Sequence, residues 1–143
     1  MKKLDQKVAI VTGAAQGIGR AIADELALAG AHIAVFDLKL EAAQAAADEI
    51  AKLGVTARGY AVDVSKSKVV EAAFAQVVSD FGHLDILVNN AGISMVGPHI
   101  KDLTDEVWDL SIGVMQSGVF YCMRAASKYL LPQRSGSVVN ISS

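Results

Sequence analysis

Short apolar, β-branched runs alternate along this sequence with longer segments of helical character, and this alternation is its most constraining feature. The runs lie near Lys7–Val11 and in HIAVFD, TARGYAVDV, LDILVNN and SVVNIS. Alternation of this kind is typical of βαβ units, in which crossover helices join parallel strands. LDILVNN is apolar almost throughout, as expected for a strand covered on both faces. The sequence therefore predicts an α/β fold, a doubly wound parallel sheet of five strands in the order 3-2-1-4-5.

The connecting helices are predicted from their apolar periodicity and their end signals. The first runs from about Gly17 to Ala29 and stops at Gly30; its expected buried stripe is Ile18, Ile22, Leu26 and Ala29. The alanine-rich segment EAAQAAADEIAKL is a strong helix former ending at Gly54. We expect Ser65 to cap the third helix, Gly82 to end it, and its buried face to comprise Val70, Phe74, Val77 and Phe81.

The helices before the fifth strand have equally clear signals. Thr104 is predicted to be an N-cap, with acidic residues after it at the positive end of the helix dipole. Leu103 and Trp108 fall at the positions of a hydrophobic staple, which favours a packing role for Trp108 over a ligand platform. The last helix should run through GVFYCMRAASKYLL and end at Pro132.

Composition and charge exclude several classes of protein. With 143 residues and no linker or repeat, we expect residues 1–143 to form a single domain. The net charge of −2 is spread along the chain, so nothing favours a nucleic-acid or membrane partner. No apolar run approaches the ~18 residues of a membrane span, and a secretory signal is not expected. The single Cys122 favours packing and a cytoplasmic setting, and the scattered histidines predict no metal site.

Three glycines join the first strand to the first helix in VAIVTGAAQGIGRA. Of Gly13, Gly17 and Gly19, one is expected to permit a tight turn, one to let the backbone approach a diphosphate, and one to allow close helix–strand packing. The helix N-terminus then supplies free amides and a positive dipole end. A plain glycine-rich turn is the alternative. The position of the triplet between a predicted strand and a predicted helix favours a dinucleotide site.

An acidic residue follows at the distance expected for a ribose-binding carboxylate. Asp37 ends the second strand, 18 residues after Gly19, close to the spacing of about 20 in dinucleotide-binding folds. A carboxylate there accepts hydrogen bonds from ribose hydroxyls and repels a 2′-phosphate, so we expect NAD to be favoured over NADP. Lys39 is the one nearby cation that could weaken this preference, and Gln16 brings no charge to a phosphate. A solvated strand-end acid is the alternative for Asp37.

Four motifs together resemble the short-chain dehydrogenase/reductase family. They are TGAAQGIG, with three residues between its first two glycines, DV at Asp63–Val64, NNAG at Asn89–Gly92, and VVNISS near the end. The resemblance covers essentially the whole chain. It implies a Rossmann-type sheet that binds NAD(P), and hydride transfer between the nicotinamide and a small alcohol or carbonyl compound whose identity the sequence does not reveal.

The resemblance also implies roles for particular residues. The diphosphate would be lined by Gly13, Gln16, Gly17, Ile18 and Gly19, the ribose held by Asp37, the adenine flanked by Asp63 and Val64, and the centre of the cofactor contacted by Asn90, with Ala91 and Gly92 beside it. An asparagine turn capped by side chains is the alternative for NNAG. By motif, Ser143 would be the catalytic serine, with a chain-terminal polar residue as its alternative.

Two departures from the family pattern bear on activity. The family's YxxxK pair lies beyond the serine, and Tyr60, Tyr121 and Tyr129 are each followed four residues later by a residue other than lysine. Met115 stands where the family has its catalytic asparagine, and a thioether cannot replace an amide in a proton relay. On an α-helix, neighbouring Gln116 would be rotated by about 100° and could not take over.

These departures lead to three competing expectations. The first is the cofactor-binding part of an NAD-dependent short-chain dehydrogenase, C-terminally incomplete, with little or no turnover on its own. The second is an NAD-binding module without catalysis, and the third is an interaction or structural fragment. Because the fifth strand would be a bare apolar edge, we expect a homo-oligomer or a complementing C-terminal fragment that covers it.

Overall fold

The computed structural model describes residues 2–93 and 99–142. Its five strands are β1 (Val8–Thr12), β2 (His32–Asp37), β3 (Ala57–Ala61), β4 (Ile86–Asn89) and β5 (Ser137–Asn140). All pairs are parallel, in the order β3-β2-β1-β4-β5. The predicted fold class, a Rossmann-like α/β sheet with strand order 3-2-1-4-5, is confirmed.

Helices cover both faces of this sheet. They are α1 (Gly17–Leu28), α2 (Leu40–Ala51), α3 (Ser67–Phe81), α4 (Asp105–Ile112) and α5 (Gly118–Gln133), with a 3-10 turn at Ile100–Asp102 and a π-helical turn at Gly113–Ser117. The buried faces of α1 and α2 form one core cluster, and those of α3 and α5 form the other. Every residue of β1 is buried, because alternate side chains enter opposite clusters.

An ion cluster fixes the amino-terminal ends of β1 and β4. Asp85 accepts hydrogen bonds from the backbone N–H of Val8 and from Lys7 Nζ, each at 2.9 Å, and His83 Nε2 lies 3.0 Å from it. Burial of Asp85 acts to raise its pKa, but these hydrogen bonds and the neighbouring positive charge outweigh it. The pKa of Asp85 is therefore held below its usual range.

The predicted buried stripe of α1 is wrong at Ile18, whereas Ile22 and Leu26 are half-buried and pack against the core cluster of that face. The face against the sheet consists of small residues, Gly19, Ala23 and Ala27, whereas Ile18 is 67% exposed. A Cβ on Gly19 would collide with the backbone of Gly13, so α1 approaches the glycine loop too closely for a large side chain to lie between them. Ile18 consequently turns toward the outer surface, where it lines a shallow apolar depression together with the half-buried Ile22 and Leu26.

Predicted helix ends agree with the structure at some positions and not at others. Thr104 caps α4 by accepting a hydrogen bond from the N–H of Val107, and Gly82 ends α3 with a left-handed φ of 90°. Ser65 does not cap α3, which begins at Ser67. Its hydroxyl donates instead to the carboxylate of Asp63.

Two further expectations about the α4–α5 region are corrected. Trp108 is 60% exposed rather than packed, because α4 is short and its only buried residue is Ser111. Pro132 lies inside α5, which continues for one more residue. Only one backbone bond is lost this near the helix end, and Gln133 Nε2 donates to the carbonyls of Leu84 and Ser135 at 2.7 Å.

Strand β5 is the exposed border of the described sheet. Within the described residues it pairs only with β4. Its apolar side chains are open to solvent on both faces, since Val138 is 39% and Val139 is 46% exposed. Among the described helices, none is long and apolar enough to cross a membrane.

Candidate functional site

A cavity of about 380 Å³ opens at the carboxyl ends of the central strands. In a doubly wound sheet this is where ligands bind, beside the point at which the strand order reverses. It is lined by the glycine loop, the end of β2, the segment after β3, the NNAG segment after β4, and one residue of the π-helical turn: Gly13, Gln16, Gly17, Asp37, Leu38, Val62, Asp63, Val64, Asn90, Ala91, Gly92, Ile93 and Val114.

The three loop glycines have distinct geometries. Gly13 turns the chain with a φ of +64° and lies against the backbone of Ala91, 3.0 Å from where its Cβ would be. Gly17 has a φ of +60°, and nothing lies within 4 Å of the position of a Cβ, so its backbone faces open space. Gly19 has no such space, because a Cβ would meet Gly13 O and Asn90 Nδ2. Gly17 thus provides an exposed backbone, and Gly19 provides close packing.

Asp37 lies at the cavity wall with its carboxylate held in place. Its Oδ2 accepts the backbone N–H of Ala15 at 3.1 Å, and its Oδ1 accepts that of Leu38 at 2.9 Å. Each oxygen of an ionised carboxylate has a second lone pair, so both can still accept a hydrogen bond from a ligand. The conformation of the glycine loop and the orientation of the carboxylate are therefore linked.

Thr12, which the sequence reasoning did not single out, joins two walls of the cavity. This residue is almost fully buried, and its Oγ1 accepts the backbone N–H groups of Asn90 at 3.0 Å and Ala91 at 2.9 Å. Asn90 Nδ2 in turn donates to the carbonyls of Thr12 at 3.0 Å and Gly13 at 3.2 Å. The amide hydrogens of Asn90 therefore hold the NNAG segment to the glycine loop.

Asp63 and Val64 form the wall that follows β3. Asp63 Oδ1 accepts both the hydroxyl of Ser65, at 2.6 Å, and its backbone N–H, at 3.0 Å. Val64 is buried against Gly118, where a Cβ would come within 2.9 Å of its methyl group. The start of α5 therefore reaches this wall only because position 118 is glycine.

Met115 lies on the π-helical turn between α4 and α5. The N–H of Gly118 bonds to the carbonyl of Gly113, five residues back, which is the hydrogen bond of a π-helix. The rotation expected between Met115 and Gln116 assumed an α-helix, and that assumption is wrong. The side chain of Met115 is 45% exposed, and its Cγ and Sδ lie 3.9 Å from where a Cβ of Gly92 would be. A thioether thus borders the NNAG wall, and both Met115 and Gln116 are exposed.

The structure brings together all the predicted cofactor residues except Ile18 and Gly19, which do not line the cavity. Ser143 lies outside the described residues, as do Met1 and residues 94–98. Residues missed by the sequence reasoning are Leu38, Val62, Ile93 and Val114 in the lining, and Thr12 beneath it. Only Thr12 had a signal, its place in TGAAQGIG. Val114 reaches the wall through a π-helical turn, which apolar periodicity does not reveal.

Two further predictions, that the chain has no metal site and that Cys122 has a packing role, concern residues away from this cavity. Among the described residues, no group of three or more histidine, cysteine, aspartate or glutamate side chains could hold a metal ion. Cys122 is buried among the side chains between β4 and α5, which confirms its packing role. Burial raises the pKa of its thiol to about 12, so it is not a thiolate nucleophile at neutral pH.

The fold is that of the Rossmann-like α/β proteins, and comparison with known sequences identifies the family. The family described as short chain dehydrogenase matches residues 7–143, and the chain belongs to it. Over 141 residues it is 42% identical to D-threitol dehydrogenase of Mycolicibacterium smegmatis, a match that covers 99% of this chain and 54% of that protein.

Two solved structures are similar in fold. NAD+-bound xylitol dehydrogenase superposes with a TM-score of 0.95 at 35% identity, covering 99% of this chain and 55% of that one. A metagenomic short-chain oxidoreductase in complex with NADP gives a TM-score of 0.92 at 34% identity, covering 98% of this chain and 63% of that one. The chain thus spans about half the length of the D-threitol and xylitol dehydrogenases that it matches. Both cofactors, NAD+ and NADP, occur among its structural neighbours.

Proposed function

We propose that this chain is the dinucleotide-binding part of an NAD-dependent oxidoreductase that transfers a hydride between nicotinamide and a small alcohol or carbonyl compound. In this proposal residues 1–143 act as a single binding unit. The observation that carries it is the fixed carboxylate of Asp37 at the wall of a cavity that also contains Gly13 and Gly17. Membership of the short chain dehydrogenase family supports the reaction class.

The residues of the cavity fit a dinucleotide. The open space around Gly17 would let a diphosphate approach the loop backbone, and the first turn of α1 has no acidic residue to repel it. Gln16 lies beside it without charge, and Asn90 with Ala91 and Gly92 would border the middle of the molecule. Ile18 and Gly19 would act from outside the cavity, Gly19 by allowing α1 to approach the loop.

Asp37 is the basis for proposing NAD rather than NADP. Its oxygens are held by Ala15 and Leu38 and would accept the adenosine ribose hydroxyls through their remaining lone pairs. A 2′-phosphate would meet this negative charge, and the side chain of nearby Lys39 forms no ion pair with Asp37 in the described structure. The ribose site therefore discriminates by charge.

The nicotinamide, when bound, supplies the hydride donor or acceptor. Ser143, by its match to the family motif, would donate a hydrogen bond to the substrate oxygen and orient it. The small-molecule substrate is proposed only as an alcohol or carbonyl. The expected cytoplasmic setting stays a prediction.

An NAD-binding module without turnover is the second candidate, and one observation favours it. Met115 places a thioether beside Gly92, where the family resemblance calls for an asparagine that anchors a proton-relay water. A thioether is at most a weak acceptor and has no donor. In this candidate the binding residues keep their roles and only the chemistry is lost.

Two measurements test these candidates in order. Calorimetric titration of the chain with NAD and NADP should give tighter binding of NAD, and failure to bind either nucleotide would refute both candidates. Oxidation of NADH in the presence of a panel of aldehydes and ketones is measured next, and even trace turnover would support the first candidate and exclude the second. Ordinary enzymatic turnover would contradict the expectation of little or no activity and eliminate the module without catalysis.

A further inference from the structure

Ser65 makes a contact that the binding role proposed for Asp63 does not yet explain. We propose that Ser65 is a positioning residue, which orients the carboxylate of Asp63 so that the site selects adenine by its exocyclic amino group. This inference rests on the proposed function, because it assumes that the adenine lies against the wall formed by Asp63 and Val64.

Ser65 directs both of its donors at a single oxygen. Its hydroxyl lies 2.6 Å and its backbone N–H 3.0 Å from Asp63 Oδ1, and the turn is closed by the N–H of Lys66, which donates to the carbonyl of Asp63 at 3.0 Å. Such side-chain turns are a common conformation of aspartate before a helix. Here α3 has no side-chain cap, so the hydroxyl of Ser65 serves the carboxylate instead.

The second oxygen of the carboxylate remains available. Within the described residues, Asp63 Oδ2 makes no hydrogen bond, and Asp63 is part of the cavity lining. With Oδ1 fixed by two donors, rotation of the carboxylate about its Cβ–Cγ bond would break both hydrogen bonds at once. The free oxygen therefore keeps one orientation before a ligand arrives, which lowers the ordering required on binding.

The chemistry of the purine makes this orientation a specificity device. The 6-amino group of adenine is a hydrogen-bond donor and matches a carboxylate acceptor. The 6-oxo group of hypoxanthine is an acceptor at the same place and would face an unpaired negative charge. A carboxylate with fixed direction should discriminate between them more strongly than one free to rotate away.

The test compares NAD with nicotinamide hypoxanthine dinucleotide, which differs only in that base. Both are titrated calorimetrically into the 143-residue chain, and the measured quantity is the ratio of the two dissociation constants. We expect NAD to bind more tightly to the wild-type chain. Ser65→Ala should reduce the ratio roughly three- to tenfold, the loss of about one oriented hydrogen bond.

Matched variants separate positioning from structural support. Ser65→Thr keeps the hydroxyl, and Gly113, whose Cβ position is 3.5 Å from Ser65 Cβ, has no side chain on the side that faces Ser65. It should keep the wild-type ratio, whereas Ser65→Val, of the same shape without a hydroxyl, should lose it as Ser65→Ala does. Ser67→Ala removes a nearby hydroxyl that accepts from Arg124 and should leave the ratio unchanged.

The outcomes distinguish this inference from the function it rests on. If the wild-type chain binds neither dinucleotide, the proposed function fails first. If it binds NAD with a base preference that Ser65→Ala and Ser65→Val retain, only the role of Ser65 is overturned. If Ser65→Ala weakens the binding of both dinucleotides equally, Ser65 only supports the structure, and its positioning role is also overturned. Should Ser65→Ala not fold, judged by circular dichroism, the threonine–valine pair gives the same comparison.

Discussion

The carboxylate of Asp37 and the backbone N–H of Ala15 are joined by a 3.1 Å hydrogen bond that links the end of β2 to the glycine loop. Ala15 belongs to the loop that would receive a diphosphate, and Asp37 to the part that would receive a ribose. This contact therefore helps to fix the spacing between the two halves of the proposed nucleotide site.

Asp37→Ala should change nucleotide preference as well as affinity. The variant loses the ribose acceptors and the charge that repels a 2′-phosphate, so we expect NAD binding to weaken about tenfold and NADP binding to weaken less or to improve. Calorimetric titration with both nucleotides measures the ratio. Asp48→Ala is the matched control, since Asp48 is an exposed carboxylate on α2 whose side chain, within the described residues, hydrogen-bonds only with Gln44. An unchanged ratio in Asp37→Ala would contradict the ribose assignment.

Alanine at two loop glycines should act through different causes. Gly19→Ala introduces a methyl group into the contact between α1 and the Gly13 backbone, and we expect it to lower the free energy of unfolding by about 3 kcal/mol. Gly17→Ala meets no neighbour within 4 Å, so only its left-handed backbone opposes it, at about 1 kcal/mol. Urea denaturation followed by circular dichroism compares the two. Equal losses would mean that the close approach at Gly19 is not tight.

Thr12→Val should destabilise the join between the two cavity walls. The variant keeps the shape of threonine but leaves the N–H groups of Asn90 and Ala91 without their acceptor, at a cost of about 2–4 kcal/mol in the free energy of unfolding. Thr12→Ser retains the acceptor oxygen and should lose less, mainly through the missing methyl. Urea denaturation followed by circular dichroism again measures the free energy of unfolding of each variant. A valine variant as stable as wild type would show that the hydroxyl is dispensable.

Asp85 should make the stability of the chain depend on acid pH. Its pKa is lowered in the folded state, so its stabilising contribution is present above the unfolded-state pKa of about 4 and is lost as the pH falls through the folded-state value. Asp85→Asn should cost about 1–3 kcal/mol near pH 7 and flatten the decline in stability below about pH 4.

Thermal unfolding of the wild-type chain and of Asp85→Asn, measured between about pH 2 and pH 7, tests this pH dependence of stability. Glu49→Gln removes an exposed pair with Lys52 and should change little at any pH. The prediction for Asp85 fails if Asp85→Asn keeps the acid dependence of the wild-type chain.

The open border at β5 should promote self-association. Val138 and Val139 are exposed on opposite faces of a strand that, within the described residues, has one partner. We expect a homo-oligomer at micromolar concentration, and Val139→Lys should shift it toward monomer, because a charge on an edge strand opposes pairing. Sedimentation velocity measures the oligomeric state of the wild-type chain and of Val139→Lys. A wild-type chain that stays monomeric across this range would count against the prediction.

Much of the fold was predictable because burial on both faces leaves a strong pattern. The largely apolar, buried β1 and β4 and the glycines that end α1 and α3 indicate most element boundaries. Asp37 and the loop glycines were predictable for a different reason, their local spacing in the sequence. Their spacing depends on one strand and one helix, not on distant parts of the chain.

The remaining features depend on contacts between distant segments. The orientation of α1 follows from the close approach at Gly19, whereas periodicity alone favoured the larger residue Ile18 as buried. The π-helical turn that brings Val114 to the cavity involves one backbone hydrogen bond, between Gly118 and Gly113. Ser65 has the residue type of a helix cap, and only the tertiary arrangement shows that Asp63 is its partner.

The hydroxyl of Thr12, shared between the N–H groups of Asn90 and Ala91, has a consequence for how a ligand would enter. Ordering a backbone residue costs about 1–2 kcal/mol, and here that entropy has already been lost during folding. The backbone of Asn90 and Ala91 would therefore need no further ordering when a ligand binds, and binding would avoid that entropy cost at these two residues.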